Sequence, residues 1–138
     1  MSRQHQLPRP GPDGQPIESS QLVRSTGVDH GYAWFSLMDH TIQTPRVGVP
    51  DEPVLEGRAG LAGLAAVTCR IHLATLCTAV GYHNPAHLAK IAATVDLISR
   101  GRLTLGIGAI FLRMNQQYGW EFPPQPATSI RQMEEAVQ

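Results

Sequence analysis

Three short segments carry the residue types that could support chemistry in this chain. Asp39 and His40 follow one apolar run, residues 75–80 close a second, and the segment from Gly106 to Ala109 closes a third. His40 is suited to acid, base or electrostatic catalysis, because the pKa of histidine lies near neutrality and Asp39 adjoins it. Taken by itself, however, an Asp-His pair is more often a polar cap at the end of a strand.

The glycine-containing segment follows its apolar run directly. Gly106 and Gly108 would let a phosphate or a flat ring approach the backbone closely. The segment is not a dinucleotide-binding fingerprint, because Phe111 stands where the third glycine should be and no acidic residue follows about twenty positions on.

Two histidines four residues apart, His83 and His87, have a spacing that zinc sites use. No cysteine or carboxylate completes a ligand set near them, so we predict no metal site. Asn84 is instead expected to cap a helix that Pro85 begins.

The segments around these residues predict a strand, a helix and a second strand. An apolar run at 71–78 predicts the first strand, and another at 103–107 predicts the second. Between them, apolar residues recur at spacings of three and four from Pro85 onward, and Gly101 ends this helix. Such a unit joins parallel strands by a helical crossover. The apolar face of the helix consists of Leu88, Ile91, Ala92, Val95 and Ile98.

A further run at 33–38 is continuously apolar, which is typical of a strand covered on both faces in a parallel sheet. Three strands with helices between them predict an α/β fold, either a doubly wound sheet or a barrel. Because parallel strands end along the same edge, Asp39 and His40 should share one rim with residues 75–78 and Gly106–Ala109. Ligands of such folds bind at that rim.

A helix is also expected after the first strand, starting at Asp51 or Glu52 with Pro53 in its first turn. Its three glycines, spaced by three, allow close packing in the core or at a subunit contact, or else merely weaken the helix. Further helices are predicted within 17–29, within 111–118, and from Thr128 or Ser129 to 137. The glycines are Gly57, Gly60 and Gly63, and the apolar side of the same helix consists of Leu55, Ala59, Ala62, Leu64 and Ala66.

The length of 138 residues allows one domain and falls short of the roughly 250 residues of a closed eight-unit barrel. With 11 basic and 11 acidic residues the net charge is zero, which disfavours a nucleic-acid partner. No apolar run is long enough for a membrane span. We expect residues 1–16 to be a disordered tail and 17–138 to be the domain. Cys69 and Cys77 are interpreted as small buried residues of a cytoplasmic protein.

Three stretches follow the motif order of one family. They read G-Y-A-W-F-S-L-M-D-H at 31–40, L-A-G-L-A-A-V-T-C-R-I-H-L-A-T at 61–75, and Y-H-N-P-A-H-L-A-K-I-A-A-T-V-D-L-I-S-R-G-R-L-T-L-G-I-G-A at 82–109. With them the chain resembles the bacterial luciferase-like superfamily, most closely its coenzyme F-420 (deazaflavin)-dependent oxidoreductases. The resemblance implies a (β/α)8 TIM barrel. This chain would supply strands two to four, as a fragment, a truncated paralogue or a frameshifted product.

The resemblance also implies roles for particular residues. Asp39 and His40 match the pair that lies against the deazaflavin ring, and His40 would serve the hydride-transfer step. Residues 75–78 match the strand end that supports the ring, with a cis peptide bond expected between Leu76 and Cys77. The loop beside the cofactor is matched by Gly106, Gly108 and Ala109.

The implied function is hydride transfer between coenzyme F-420 and an unknown small organic substrate. Two alternatives remain open: an FMN-dependent luciferase-like monooxygenase, and a non-catalytic remnant or pairing fragment. The expected association is a homodimer through the helices that match those of the family, or a complex with a complementary fragment. Two sheet edges and an open sheet face would otherwise be exposed.

Overall fold

The computed structural model describes residues 31–43, 54–109, 118–120 and 125–138. The tail, the helix predicted within 17–29 and most of the one predicted within 111–118 lie outside these residues. The described elements, in chain order, are β1 (Trp34–Leu37), α1 (Gly57–Val67), β2 (His72–Thr75), β3 (Thr78–Ala79), a 3-10 turn (Val80–Tyr82), α2 (Pro85–Ser99), β4 (Leu103–Thr104), β5 (Ile107–Gly108) and α3 (Pro126–Ala136).

The strands are all parallel, which confirms the α/β prediction. β1, β2 and β4 form one sheet in that order, with Phe35, Leu73 and Leu103 in register across it. β3 and β5 pair as a second, two-stranded sheet. Each strand predicted at 71–78 and 103–107 is therefore divided into two short strands. The first division falls at a cis peptide bond between Leu76 and Cys77, as the family resemblance predicts.

Helices α1 and α2 cover one face of the three-stranded sheet. Alternate residues of β2 point toward them, so that Leu73 is fully buried while His72 is exposed. The opposite face is open at Trp34, His72 and Thr104. The buried cluster between helices and sheet consists of Leu61, Leu64, Ala65, Ile71, Leu73 and Val95.

Helix α1 begins later than the sequence predicts. Residues 54–56 are not helical, and the carboxylate of Glu56 accepts a hydrogen bond of 2.7 Å from the backbone N–H of Ala59. A start at Asp51 or Glu52 is therefore wrong, because Glu56 is the residue that satisfies the first free N–H groups. The buried face turns accordingly. It consists of Leu61, Leu64 and Ala65, whereas Leu55, Ala59 and Ala66 are exposed.

Two of the three glycines of α1 allow close packing in the core. A Cβ atom on Gly57 would lie 2.8 Å from the carbonyl oxygen of Met38, and one on Gly60 would lie 2.9 Å from a methyl carbon of Leu37. Gly63 has nothing within 4 Å of the corresponding position. The first two glycines therefore bring α1 against the end of β1, next to the candidate site.

Helix α2 begins and ends as predicted. The side chain of Asn84 accepts from the backbone N–H of His87 at 3.2 Å, and Pro85 occupies the first helical position. Leu88 and Val95 are buried, but Ile98 is exposed and Ser99 faces inward in its place. Ser99 lies one turn beyond Val95, which puts it on the buried face of the helix.

Helix α3 begins at Pro126, two or three residues before the predicted start at Thr128 or Ser129. Proline is favoured at the first helical position because its fixed φ suits the helix and its missing N–H would be unpaired there. Ser129 lies inside the helix and is buried.

Arg102 joins the ends of α1 and α2 to the start of β2. Its guanidinium donates five hydrogen bonds of 2.6–3.0 Å, four of them to backbone carbonyl oxygens. These N–H donors satisfy carbonyl oxygens at and near the helix ends that would otherwise lack partners. The acceptors belong to Ala65, Thr68, Ile71 and Ser99, with the hydroxyl of Thr68 as the fifth.

Both cysteines depart from the prediction of burial, because Cys69 and Cys77 are exposed. Cys69 lies in the bend between α1 and β2, and Cys77 lies in the break between β2 and β3, so neither side chain belongs to the regular alternation of a strand. In the part of the chain that the structure describes, no helix has the length and hydropathy required to cross a bilayer.

We expect Arg100→Gly to raise the free energy of unfolding by about 0.5–1 kcal/mol. Arg100 adopts a left-handed backbone conformation, which is less favourable for a residue with a Cβ atom than for glycine. Its φ and ψ are 61° and 49° at the C-terminal cap of α2. Urea unfolding measures the change. Arg100→Ala keeps the Cβ atom and is the control, so an equal gain in both variants would contradict the backbone explanation.

Candidate functional site

The three predicted loops meet at one rim of the sheet. The N–H of Leu76 donates to the carbonyl oxygen of Leu37 at 2.8 Å, and the N–H of Thr78 donates to that of Gly106 at 2.7 Å. The ends of β1, β2 and β4 are thus joined where the chain passes into the loops. The prediction that Asp39 and His40 share one rim with residues 75–78 and Gly106–Ala109 is confirmed.

Asp39 is buried at this rim and holds three elements together. One carboxylate oxygen accepts a hydrogen bond from the N–H of Ala79 at 3.2 Å and lies 3.1 Å from Nε2 of His83. The other oxygen lies 3.8 Å from Nη2 of Arg58. The carboxylate therefore fixes the end of β1 against β3, the 3-10 turn and the start of α1.

Arg58 balances the negative charges on its side of the rim. Its Nε and Nη2 atoms both lie 2.7 Å from Oε1 of Glu56, the residue that also caps α1. The Arg58 side chain is nine-tenths buried, and a buried cation needs such partners. Asp39 and Glu56 balance the charge of Arg58, whereas its buried Nη1 atom has no hydrogen-bond partner among the described residues.

His40 follows Asp39 and is half-buried. Burial lowers the pKa of His40 below its ordinary value of 6.5, and the nearby negative charge of Asp39 opposes that shift in part. The imidazole is therefore neutral at neutral pH. A neutral imidazole that is still partly open to solvent can accept a proton from a bound molecule.

The lowered pKa of His40 predicts that its contribution to stability falls on acidification. Below about pH 6.5 the unfolded chain binds a proton that the folded chain still excludes, so the free energy of unfolding decreases as the pH falls toward the folded-state pKa. We expect His40→Gln to remove this part of the pH dependence between pH 7 and pH 5 in urea-unfolding measurements. An unchanged slope would show that other groups cause it.

The break between β2 and β3 presents an uncharged surface. Leu76 is 59% exposed and Cys77 is exposed beside it. The neighbouring glycines are required by strand packing, because a Cβ on Gly106 would collide with the carbonyl oxygen of Thr75 and one on Gly108 would lie 2.6 Å from Sγ of Cys77. Ala109 follows them and is half-buried.

The sequence did not single out Arg58, nor the contact of His83 with Asp39. His83 was considered only for its zinc-like spacing from His87, but it contacts a carboxylate 44 residues away in the chain. Among the described residues no group of three potential ligands has the geometry to hold a metal. An aromatic row, formed by Tyr82, Trp120 and Tyr118, was also missed, because its rings stack only once the chain folds.

The family is shown by a match of residues 28–138 to the model of the luciferase-like monooxygenase family. The chain belongs to this family. A protein of Mycobacterium tuberculosis described as uncharacterised is 33% identical over 106 residues, which cover 67% of this chain and 36% of that protein. The chain thus spans about a third of the length of the curated relatives it matches.

Solved structures of the family support the same fold. A monooxygenase from Streptomyces bottropensis has 26% identity and a TM-score of 0.69, over 93% of this chain and 36% of that chain. The coenzyme F-420-dependent tetrahydromethanopterin reductase of Methanopyrus kandleri has 25% identity and a TM-score of 0.61, over 84% of this chain and 34% of that chain. The oxygenating constituent of 3,6-diketocamphane monooxygenase of Pseudomonas putida, in complex with FMN, has 20% identity and a TM-score of 0.68, over 94% and 34%. The architecture is that of a partial barrel of this family.

Proposed function

We propose that this chain contributes the cofactor-ring and proton-transfer part of a hydride-transferring oxidoreductase that uses coenzyme F-420 and a small organic substrate. The observation that carries the proposal is the rim itself. It brings the neutral, half-buried imidazole of His40 and the exposed, uncharged surface at Leu76 and Cys77 to the same end of the sheet. The likeness to an F-420-dependent reductase supports this choice of cofactor.

The residues present fit the ring of a deazaflavin. Leu76 and Cys77 offer an apolar surface without a charged side chain, which suits a flat, uncharged ring. The buried hydroxyl of Thr78, next to Cys77, has no hydrogen-bond partner among the described residues and is available to a polar ring edge. The buried Nη1 of Arg58 also has no hydrogen-bond partner among the described residues, but Asp39 and Glu56 balance the charge of Arg58, so the described rim offers no net positive charge for a phosphate. We therefore assign the ring, and not the phosphate-bearing tail, to this part of the chain.

Bound deazaflavin supplies a carbon atom that accepts or donates a hydride. The chain supplies the proton chemistry. When a substrate alcohol loses its hydride, the neutral imidazole of His40 accepts the hydroxyl proton, and a carbonyl compound is left. Asp39 acts as a positioning residue, because its contacts with Ala79 and His83 hold the loop that carries His40. In the reverse direction a protonated His40 returns the proton to the carbonyl oxygen.

FMN is the second candidate cofactor, in a monooxygenase. The family model and the FMN-containing neighbour of the same fold favour it. The same uncharged surface at Leu76 and Cys77 would accept either ring, so cofactor binding has to be measured separately for the two.

Cofactor titration tests the proposal. The chain is titrated into coenzyme F-420 and, separately, into FMN, and the change in cofactor fluorescence gives the dissociation constants. Leu76→Asp should weaken ring binding, because it places a charge against the flat ring. Leu97→Asp alters an equally apolar but 80% exposed residue of α2 and is the matched control. Binding of FMN alone would favour the monooxygenase, and binding of neither cofactor would overturn the proposal.

We further expect the chain to associate, as a homodimer or with a complementary piece of a barrel. The sheet face opposite the helices exposes Trp34 and His72, which stack with ring centroids 4.8 Å apart. An exposed aromatic sheet face favours association. Light scattering at tens of micromolar measures the mass in solution. A stable monomer that unfolds cooperatively would contradict the expectation.

A further inference from the structure

The aromatic row of Tyr82, Trp120 and Tyr118 lies beside the His40 loop. The rings of Tyr82 and Trp120 stack with centroids 4.7 Å apart, and those of Trp120 and Tyr118 stack at 5.4 Å. The interplanar angles are 28° and 23°, so the three rings form a nearly continuous stack. Stacked rings in this order recognise flat partners by further stacking.

Both ends of the aromatic row are tied to the loop that carries His40. At one end, the hydroxyl of Tyr118 donates to the carbonyl oxygen of Thr41 at 3.1 Å. At the other, Tyr82 precedes His83, whose ring contacts it edge-on at 6.0 Å and whose Nε2 lies 3.1 Å from Asp39. The row therefore flanks the proton-transfer position rather than some remote surface.

The outer ring of the row is available to a ligand. Tyr118 is 50% exposed, whereas Tyr82 and Trp120 are half-buried. If the row served only to fill the protein interior, its last ring would be more completely buried. Asp39, which contacts His83 beside the row, also contacts Arg58, so the charges of this pair are balanced. Among the described residues, neither Asp39 nor Arg58 therefore offers a charged ligand an unbalanced opposite charge.

We propose that the aromatic row is the substrate-binding wall of the site and that it selects an uncharged, planar, aromatic or conjugated alcohol or carbonyl compound. This inference rests on the proposed function, which it extends by naming the substrate class. The reacting carbon would lie near His40, with the flat part of the molecule stacked on Tyr118.

Two-dimensional NMR of the chain without cofactor tests the wall separately from the redox chemistry. The chain has two tryptophans, so the spectrum contains two indole N–H signals, assigned with Trp34→Phe and Trp120→Phe. Addition of 2-acetonaphthone, a flat uncharged ketone, should shift the Trp120 signal and leave that of Trp34, at the opposite end of β1, unchanged. Cyclohexyl methyl ketone and 2-naphthoate should shift neither signal at the same concentration.

A pair of tyrosine variants supplies the matched control. Tyr118→Leu should weaken the binding of 2-acetonaphthone about fivefold, the loss expected for one aromatic stacking contact. Tyr32→Leu changes a tyrosine that is 45% exposed before β1 and should leave the affinity unchanged. Equal effects of the two variants, or no shift of the Trp120 signal, would contradict the proposal that the aromatic row binds the substrate. If the Trp120 signal shifted in a chain that binds neither cofactor, the aromatic row would still be a binding surface for flat ketones, and the proposed function would be wrong.

Discussion

Gly106→Ala is expected to lower the free energy of unfolding by about 3 kcal/mol, the upper range for forcing an added methyl group into a packed site. The added carbon would collide with the carbonyl oxygen of Thr75, which belongs to the backbone and cannot rotate away. The carbonyl oxygen of Gly106 also accepts hydrogen bonds of 2.7 Å from Oγ1 of Thr75 and from the N–H of Thr78. A shift of Gly106 would therefore break both contacts at the rim.

Gly63→Ala is the matched control, with an effect of opposite sign. Gly63 lies inside α1, and nothing stands within 4 Å of the position that a Cβ would occupy. Alanine there should raise stability by about 1 kcal/mol, because it has the higher helix propensity. Urea unfolding of both variants measures the two effects. If Gly106→Ala were tolerated as well as Gly63→Ala, the close approach of the two strands at the rim would be wrong.

His40→Ala is expected to lower the turnover number of the proposed hydride transfer by about 10²- to 10⁴-fold, the usual contribution of a general acid or base. The dissociation constant of the cofactor should change little, because the imidazole acts on the proton that leaves the substrate and not on the bound ring. Steady-state kinetics with the preferred cofactor, combined with the fluorescence titration, separate the two quantities.

His87→Ala provides the comparison for that experiment. His87 is exposed on the first turn of α2, and its backbone N–H donates to Asn84, a hydrogen bond that the variant retains. Its turnover should match that of the unmodified chain. If His40→Ala had the same turnover as His87→Ala, His40 would not be the catalytic residue.

Much of the fold could be predicted from local sequence patterns. The periodic apolar residues of α2, with Asn84 and Pro85 at its start, determine the helix without help from distant residues. Uninterrupted apolar runs likewise indicated the three strands, and parallel strands necessarily end at one rim. The exact start of α1 could not be predicted in this way, because several acidic residues precede the helix and the sequence does not show that Glu56 is the one that caps it.

The internal contacts of the candidate site could not be predicted in the same way. The partners of Asp39 lie 19, 40 and 44 residues further along the chain, and no local pattern links them to it. The break in the second strand has the same origin. Thr75 and Thr78 both donate to Gly106, which lies between β4 and β5. Such contacts depend on which strands become neighbours, a property of the whole sheet.

The five hydrogen bonds of Arg102 have a consequence for motion. They lie where the helices end and β2 begins, opposite the rim that carries His40. Opening that end of the sheet requires several bonds to break together, whereas β3 and β5 at the other end are only two residues long each. Local opening should therefore be more frequent at the rim, where a substrate would enter, than at the end of the sheet that Arg102 holds.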